Sequence, residues 1–281
     1  MSGILQMQAR QEREEANTVI TLYADMRRDF AGSFCFNKET VWTGDPVAEL
    51  RSRRVLVLVH GVKNTKNQIR NAYREISMRS TGSFDAMVGV MWPGGVTPFG
   101  WPIVSTFDVT ESAIRLARIL ERISFEGQPA SIDIDAHSLG CPIAMKAVEL
   151  SLVPVDGVWL MAPAMSRSLE RYRHLLVPPT LAVDPKIRRG AWVFYSRRDL
   201  VLRALFQIWP PFLPALGAYG EKSKGGNLAT NIDCTDAVKG NHAGYRHISE
   251  VVQEQTNDTA DRAARRKLGL TPRQPYLSPI D

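Results

Sequence analysis

Residues 132–141 read Ile-Asp-Ile-Asp-Ala-His-Ser-Leu-Gly-Cys, and the fold follows from how that run stops. Ile132 and Ile134 alternate with Asp133 and Asp135, as in a short strand. The run ends at Ser138, with Ala136 two residues before it and Gly140 two residues after, and a helix-compatible segment, 142–150, follows at once. Strand, sharp turn and helix with a serine at the apex is the form of a nucleophile elbow. Strand and helix press together there and leave no room for large side chains two residues either side of the serine. The usual pattern is G-x-S-x-G; Ala136 stands where the first glycine would be, and alanine still fits. Ser138 also has a plainer reading as a helix N-cap. Under that reading its paired small neighbours and the His60-Gly61 loop would be coincidences.

The rest of the chain fits around that strand. Residues 55–59, Val-Leu-Val-Leu-Val, form a continuous aliphatic run ending in His60-Gly61, the mark of a strand buried on both faces of a parallel sheet. A polar, helix-compatible stretch, 64–78, comes next. A second run, 87–92, ends in Pro93-Gly94-Gly95 and a loop rich in proline and aromatics. An amphipathic helix is expected over about 110–123, with Ile114, Ala117, Leu120 and Ile123 at helical spacing. Further runs at 155–161 and 191–195 follow the elbow, and a last short strand is expected at 231–234. Strands alternating with helical segments predict an α/β fold: a mostly parallel central sheet with helices on both faces. Residues 1–32 read as an N-terminal helical segment, 33–255 as the main domain with an edge strand at 33–40, and 256–281 as a polar C-terminal tail. Asp133 and Asp135 share one face of the elbow strand, so that face meets a basic neighbour or is partly wet.

Composition removes several classes of function. In 281 residues, 44% hydrophobic and 23% charged content is that of an ordinary globular protein with room for a large core. The formal charge of +6 is scattered, with short clusters such as 51–54 and 265–267 but no basic stripe interleaved with aromatics, so no nucleic-acid partner is expected. Cys35, Cys141 and Cys234 show neither a disulfide framework nor zinc spacing, which suits a reducing compartment. The polar residues around Glu12, Glu14 and Glu15 contain no apolar core of signal-peptide length, and nowhere do eighteen apolar residues run together. A cytoplasmic protein with no transmembrane segment is the expectation.

Three residues fall at or just past strand ends, where loops and helix N-termini converge in such sheets: Ser138, Asp199 and His242. Nucleophile, acid, then histidine is the chain order of the α/β-hydrolase fold. With His60-Gly61 at the end of an earlier strand, residues 50–255 resemble the α/β-hydrolase superfamily, and in particular bacterial lipase- and esterase-like members with a small-His-Ser-Leu-Gly elbow. The resemblance implies that His242 takes the proton of Ser138 and later gives it to the leaving group, while Asp199 orients the imidazole. It also implies an oxyanion hole from the backbone N–H groups of Leu139 and of Val62 or a neighbour in the 60–64 loop. Asn241-His242-Ala-Gly-Tyr245 suits the His-x-x-Tyr that members often carry. Glu170 and Asp184 are reserve acids, and His247 is a surface or packing residue. His60 is expected to shape the oxyanion loop, and His137 and Cys141 to pack beside the elbow. His174 sits on a solvated basic face.

The substrate pocket is expected from Trp92 and Trp101, and from an apolar cap or lid over 202–228 carrying Trp209 and Phe212. Such a cap favours acyl chains or other apolar esters, and allows a membrane-surface contact through the same aromatics. Internal packing is the plainer reading of these side chains. The leading expectation is a cofactor-independent serine hydrolase of a carboxylic ester, lipid or thioester, with no metal. The alternatives are a peptidase or amidase, and a non-catalytic hydrolase-fold protein that binds a ligand or partner. Oligomeric state is not legible.

Overall fold

Strand order, rather than chain order, places the functional edge. The computed structural model describes residues 20–27, 36–62, 65–79, 83–94, 101–177, 185–205, 214–223 and 228–247. The eight strands are β1 (Ile20–Arg27), β2 (Phe36–Trp42), β3 (Arg54–Val59), β4 (Ala86–Met91), β5 (Ser131–His137), β6 (Gly157–Met161), β7 (Ala191–Tyr195) and β8 (Thr230–Asp233). They form one sheet in the order β2-β1-β4-β3-β5-β6-β7-β8. Only β1 and β2 pair antiparallel; the other neighbours are parallel. The aliphatic strands β3 and β4 sit inside the sheet with β4 buried throughout, as strands covered on both faces must be. Val59 pairs with Val90 and Ala136, so β3, β4 and β5 end level with one another. That brings His60, Trp92 and Ser138 to one edge.

The helices are α1 (Pro46–Leu50), α2 (Lys66–Arg79), α3 (Trp101–Phe125), α4 (Gly140–Leu150), α5 (Arg173–Leu176), α6 (Leu216–Tyr219) and α7 (Thr235–Val238). Helix α2, with the turn Gly244–His247, covers one face of the sheet, while α3 and α4 pack on each other over the opposite face. Ile132, Ile134 and Ala136 are buried on the α4 side. The other face of β5 does meet a basic neighbour. Asp133 is fully buried against Arg189, whose guanidinium lies 5.6 and 5.8 Å from the rings of Trp159 and Trp192. A buried carboxylate is tolerable there because a buried cation answers it.

Two expectations are corrected. Residues 20–27 are a strand, not part of an N-terminal helix, and they pair with β4 from Ile20↔Ala86 to Asp25↔Met91. Leu22, Ala24 and Met26 alternate into the core, a period-2 signal that charged flanks obscure. Helix α3 begins at Trp101, inside the stretch expected to be a loop. Within the 202–228 stretch expected to form a lid, Ala215, Leu216 and Ala218 are buried and Ser196 N–H donates to Gly217 O at 3.0 Å, while residues 203, 204 and 214 are exposed. A Cβ on Gly217 would sit 2.4 Å from the Ala162 backbone, so this turn packs directly on the loop after β6. Residues 206–213, with Trp209 and Phe212, and the tail 256–281 lie outside the described residues.

Candidate active site

Backbone crowding positions the serine. Ser138 takes φ of +53°, a left-handed conformation costing a non-glycine residue on the order of 1–3 kcal/mol. The turn is held by Ser138 N–H donating to Met161 O at 2.9 Å, and by Ser138 O accepting from Cys141 and Ala164 N–H at 3.1 and 3.2 Å. A Cβ on Gly140 would lie 2.5 Å from Val59 O and 2.6 Å from His60 O, so only glycine lets α4 start this close to β3. Gly61 has the same role from the opposite side: its Cβ would meet Ser138 Cβ at 2.9 Å.

Hydrogen bonds place the other two groups. Ser138 Oγ is 2.8 Å from His242 Nε2, and His242 Nδ1 is 2.7 Å from Asp199 Oδ2. With Nδ1–H donating to the carboxylate, Nε2 presents its lone pair to the serine hydroxyl. Asp199 is fully buried in the turn after β7, and its Oδ1 accepts from Leu202 N–H at 3.1 Å. His242 follows α7, and its carbonyl accepts from His137 Nε2–H at 2.7 Å. Asn241 Oδ1 caps Ala243 N–H at 3.1 Å. Tyr245 is fully buried nearby, and its hydroxyl has no hydrogen-bond partner among the described residues.

The loop after β3 is locked by His60. Burial pulls its imidazole down to about 4, so the ring is neutral near pH 7. Its Nδ1–H donates to Gly61 O at 2.6 Å while Nε2 accepts from Trp92 N–H at 3.2 Å. Trp92 returns a bond from Nε1–H to His60 O at 2.7 Å and stacks on the imidazole at 5.3 Å and 13°. Trp92 is therefore a packing residue, 1% exposed, and not the pocket wall expected of it. Sequence reasoning missed this lock; its signal is a histidine and a tryptophan each ending a buried run.

Leu139 N–H makes no hydrogen bond among the described residues and opens α4 beside the serine, where an oxyanion donor has to be. Val62 is half-buried in the loop after Gly61. Burial pushes the Cys141 thiol well up, and it donates to Ala136 O at 3.2 Å, a packing role. Glu170, a reserve acid, pairs with Arg173 at 2.6 Å in an exposed turn, and Asp184 lies outside the described residues. Exposed His174 lies 3.7 Å from Glu149. Beneath the loop, a cavity of about 70 Å³ is lined by Leu58, Ile69, Tyr73, Asp135, His137 and Met161 among others. Among the described residues no cluster of three or more His, Cys, Asp or Glu is placed to hold a metal ion, and no helix is long and apolar enough to cross a membrane.

A protein-family model described as an alpha/beta hydrolase of unknown function (DUF900) matches residues 37–209. No curated protein matches the chain. Among solved structures, a YdeN-like hydrolase of Pectobacterium atrosepticum is 14% identical with a TM-score of 0.38, over 76% of this chain and 94% of its own. An α/β-superfamily hydrolase of Xanthomonas campestris is 16% identical with a TM-score of 0.37, over 75% and 99%. Carboxyl esterase 2 of the fungus Tuber melanosporum is 12% identical with a TM-score of 0.38, over 87% and 89%.

Proposed function

The chain belongs to this family of α/β hydrolases, and we propose that it is a serine hydrolase that cleaves a carboxylic ester through an acyl-enzyme. One observation carries the reading: an unbroken relay from Ser138 Oγ to His242 (2.8 Å) to a fully buried Asp199 (2.7 Å). A serine hydroxyl attacks a carbonyl only if a base removes its proton as the bond forms. His242 Nε2 accepts that proton, and Asp199 stabilises the resulting imidazolium and fixes its tautomer. The oxygen of the tetrahedral intermediate turns toward Leu139 N–H and the Val62 N–H. His242 then protonates the leaving alcohol or thiol, the carbonyl reforms as an acyl-Ser138 ester, and water repeats the sequence to release the acid.

The 70% exposed Leu200 and 36% exposed Val201 put apolar surface directly before the segment carrying Trp209 and Phe212. That surface supports an apolar ester or lipid as substrate, with the same aromatics meeting a membrane surface.

The test is fluorophosphonate labelling read by intact mass and peptide mapping. A single adduct on Ser138, absent from Ser138→Ala and suppressed in His242→Ala, is expected. Folded protein with no adduct would sink the reading and move the weight to ligand binding. Paired ester and amide substrates decide between esterase and amidase; faster ester turnover is expected.

A further inference from the structure

His137 ends β5, immediately before Ser138 in the chain, and its hydrogen-bond partner is the backbone of His242. Nε2–H donates to the His242 carbonyl at 2.7 Å; a carbonyl only accepts, so Nε2 carries the proton. The two imidazoles lie 5.0 Å apart at 51°. The Nδ1 side of the His137 ring packs close to the loop after β3. A Cβ on Gly61 would meet His137 Nδ1 at 3.0 Å, just as it would meet Ser138 Cβ at 2.9 Å. One half-buried side chain thus bridges the loop after β3 and the turn that carries the base.

The two ends of that bond are held differently. His137 pairs with Met161 of β6 inside the sheet, and Ser138 N–H donates to Met161 O at 2.9 Å, so donor and nucleophile share one strand end. His242 stands in the turn after α7. There Asn241 N–H donates to Val238 O at 2.8 Å, Gly244 N–H to Asn241 O at 2.9 Å and Ala243 N–H to Asn241 Oδ1 at 3.1 Å. These bonds shape the turn without reaching the sheet. The buried Tyr245 anchors the chain further on, but at the base itself Asn241 and Ala243 are exposed and the imidazole side chain is 18% exposed. The bonds to Asp199 and Ser138 act on the ring, which swings on two rotatable bonds. The bond from His137 acts on the backbone that carries the ring. A misplacement of about 1 Å in a reacting pair costs on the order of a hundredfold in rate, so where that backbone stands matters to the chemistry.

We propose that His137 is a positioning residue: its Nε2–H clamps the backbone of the general base to the strand end that carries the nucleophile, and so holds His242 Nε2 at attack distance from Ser138 Oγ. It touches neither the substrate nor the transferred proton, and acts through His242. This rests on the serine-hydrolase reading of Ser138.

The experiment compares wild type with His137→Phe, His137→Asn and His137→Gln by the rate of fluorophosphonate labelling of Ser138, by kcat and KM on 4-nitrophenyl butyrate, and by thermal unfolding. Phenylalanine keeps a ring without the donor, and the asparagine amide is one bond too short for the carbonyl. The glutamine amide nitrogen stands as many bonds from Cβ as His137 Nε2 does and can remake the hydrogen bond. His137→Phe and His137→Asn should lose about a hundredfold in labelling rate and kcat with KM nearly unchanged, and His137→Gln should recover most of that loss. Proton NMR gives a readout that packing alone would not move. The low-field signal of His242 Nδ1–H, bonded to Asp199, should be sharp in wild type and His137→Gln and broadened by exchange in the other two. His137→Asn carries the comparison with His137→Gln if the phenylalanine does not fold. Folded His137→Phe or His137→Asn that labels at the wild-type rate overturns the inference and leaves the hydrolase reading standing. Glutamine no better than the variants without the bond overturns it too, since only ring packing would then matter. Folded wild type that does not label at Ser138 overturns the hydrolase reading, and this one with it.

Discussion

The site's two arms are held by different means. The nucleophile arm, Ser138 with Gly61, Gly140 and the His60–Trp92 pair, is fixed by close approach of backbones in the middle of the sheet. The acid–base arm, Asp199 and His242, stands on turns beside β7 and the partly exposed edge strand β8, and side-chain hydrogen bonds hold it. The first arm tolerates no added atom. The second tolerates isosteric replacement in its fold while losing its chemistry.

The largest effect should come from separating fold from chemistry in the second arm. In Asp199→Asn the amide oxygen can keep the Leu202 N–H, which turns the NH₂ toward His242 Nδ1. The ring must then carry its proton on Nε2 and cannot accept one from Ser138. A fall in kcat of about 10⁴-fold is expected with nearly unchanged Tm, since a wrong tautomer alone costs that much in comparable triads. Steady-state kinetics beside thermal unfolding checks this; a collapse of Tm matching the loss of activity would erase the distinction between the arms.

Gly140→Ala is the reciprocal test. Its methyl would meet two carbonyl oxygens at 2.5 and 2.6 Å, both backbone and unable to swing aside. Stability should fall by about 3 kcal/mol, the upper range for overpacking, and labelling of Ser138 should fall with it. Urea unfolding with m-value checked reads the first, and fluorophosphonate rate the second.

How legible each arm was follows from the same difference. Runs such as 55–59 mark central strands because burial on both faces leaves only aliphatic residues, and the elbow's small residues record backbone crowding directly. Ser138, Asp199 and His242 could be picked out because each falls where a strand ends, and the structure brings them within hydrogen-bond reach. Partners distant in sequence left no such trace. Nothing local in residues 20–27 announces pairing with β4, and nothing near Asp133 announces Arg189, 56 positions away. Trp92 looked like a pocket aromatic because an indole that stacks on a buried imidazole reads, in sequence, like any aromatic at a strand end.

The His60 lock yields a pH signature confined to the first arm. Its imidazole is pulled from 6.5 to about 4, so the unfolded chain binds the extra proton between those values. About 3 kcal/mol of stability is then complete above pH 6.5 and fades as pH falls toward 4. Urea unfolding of wild type and His60→Gln at pH 7 and 4.5 should show the variant losing less on acidification. Equal losses would mean that His60 is not the buried neutral brace of the oxyanion loop.

The smallest effect tests whether the second arm rests only on the bonds named for it. Tyr245 is buried near Asp199, and burial raises its phenol, yet its hydroxyl has no partner among the described residues. Removing an unsatisfied buried hydroxyl relieves a desolvation cost, so Tyr245→Phe should hold or raise stability by about 1 kcal/mol. Its kcat should stay near wild type, because no bond of the relay passes through the phenol. A lower kcat with intact Tm would instead show that the hydroxyl supports the carboxylate through a bridging water, making the acid–base arm a larger network than its two short hydrogen bonds.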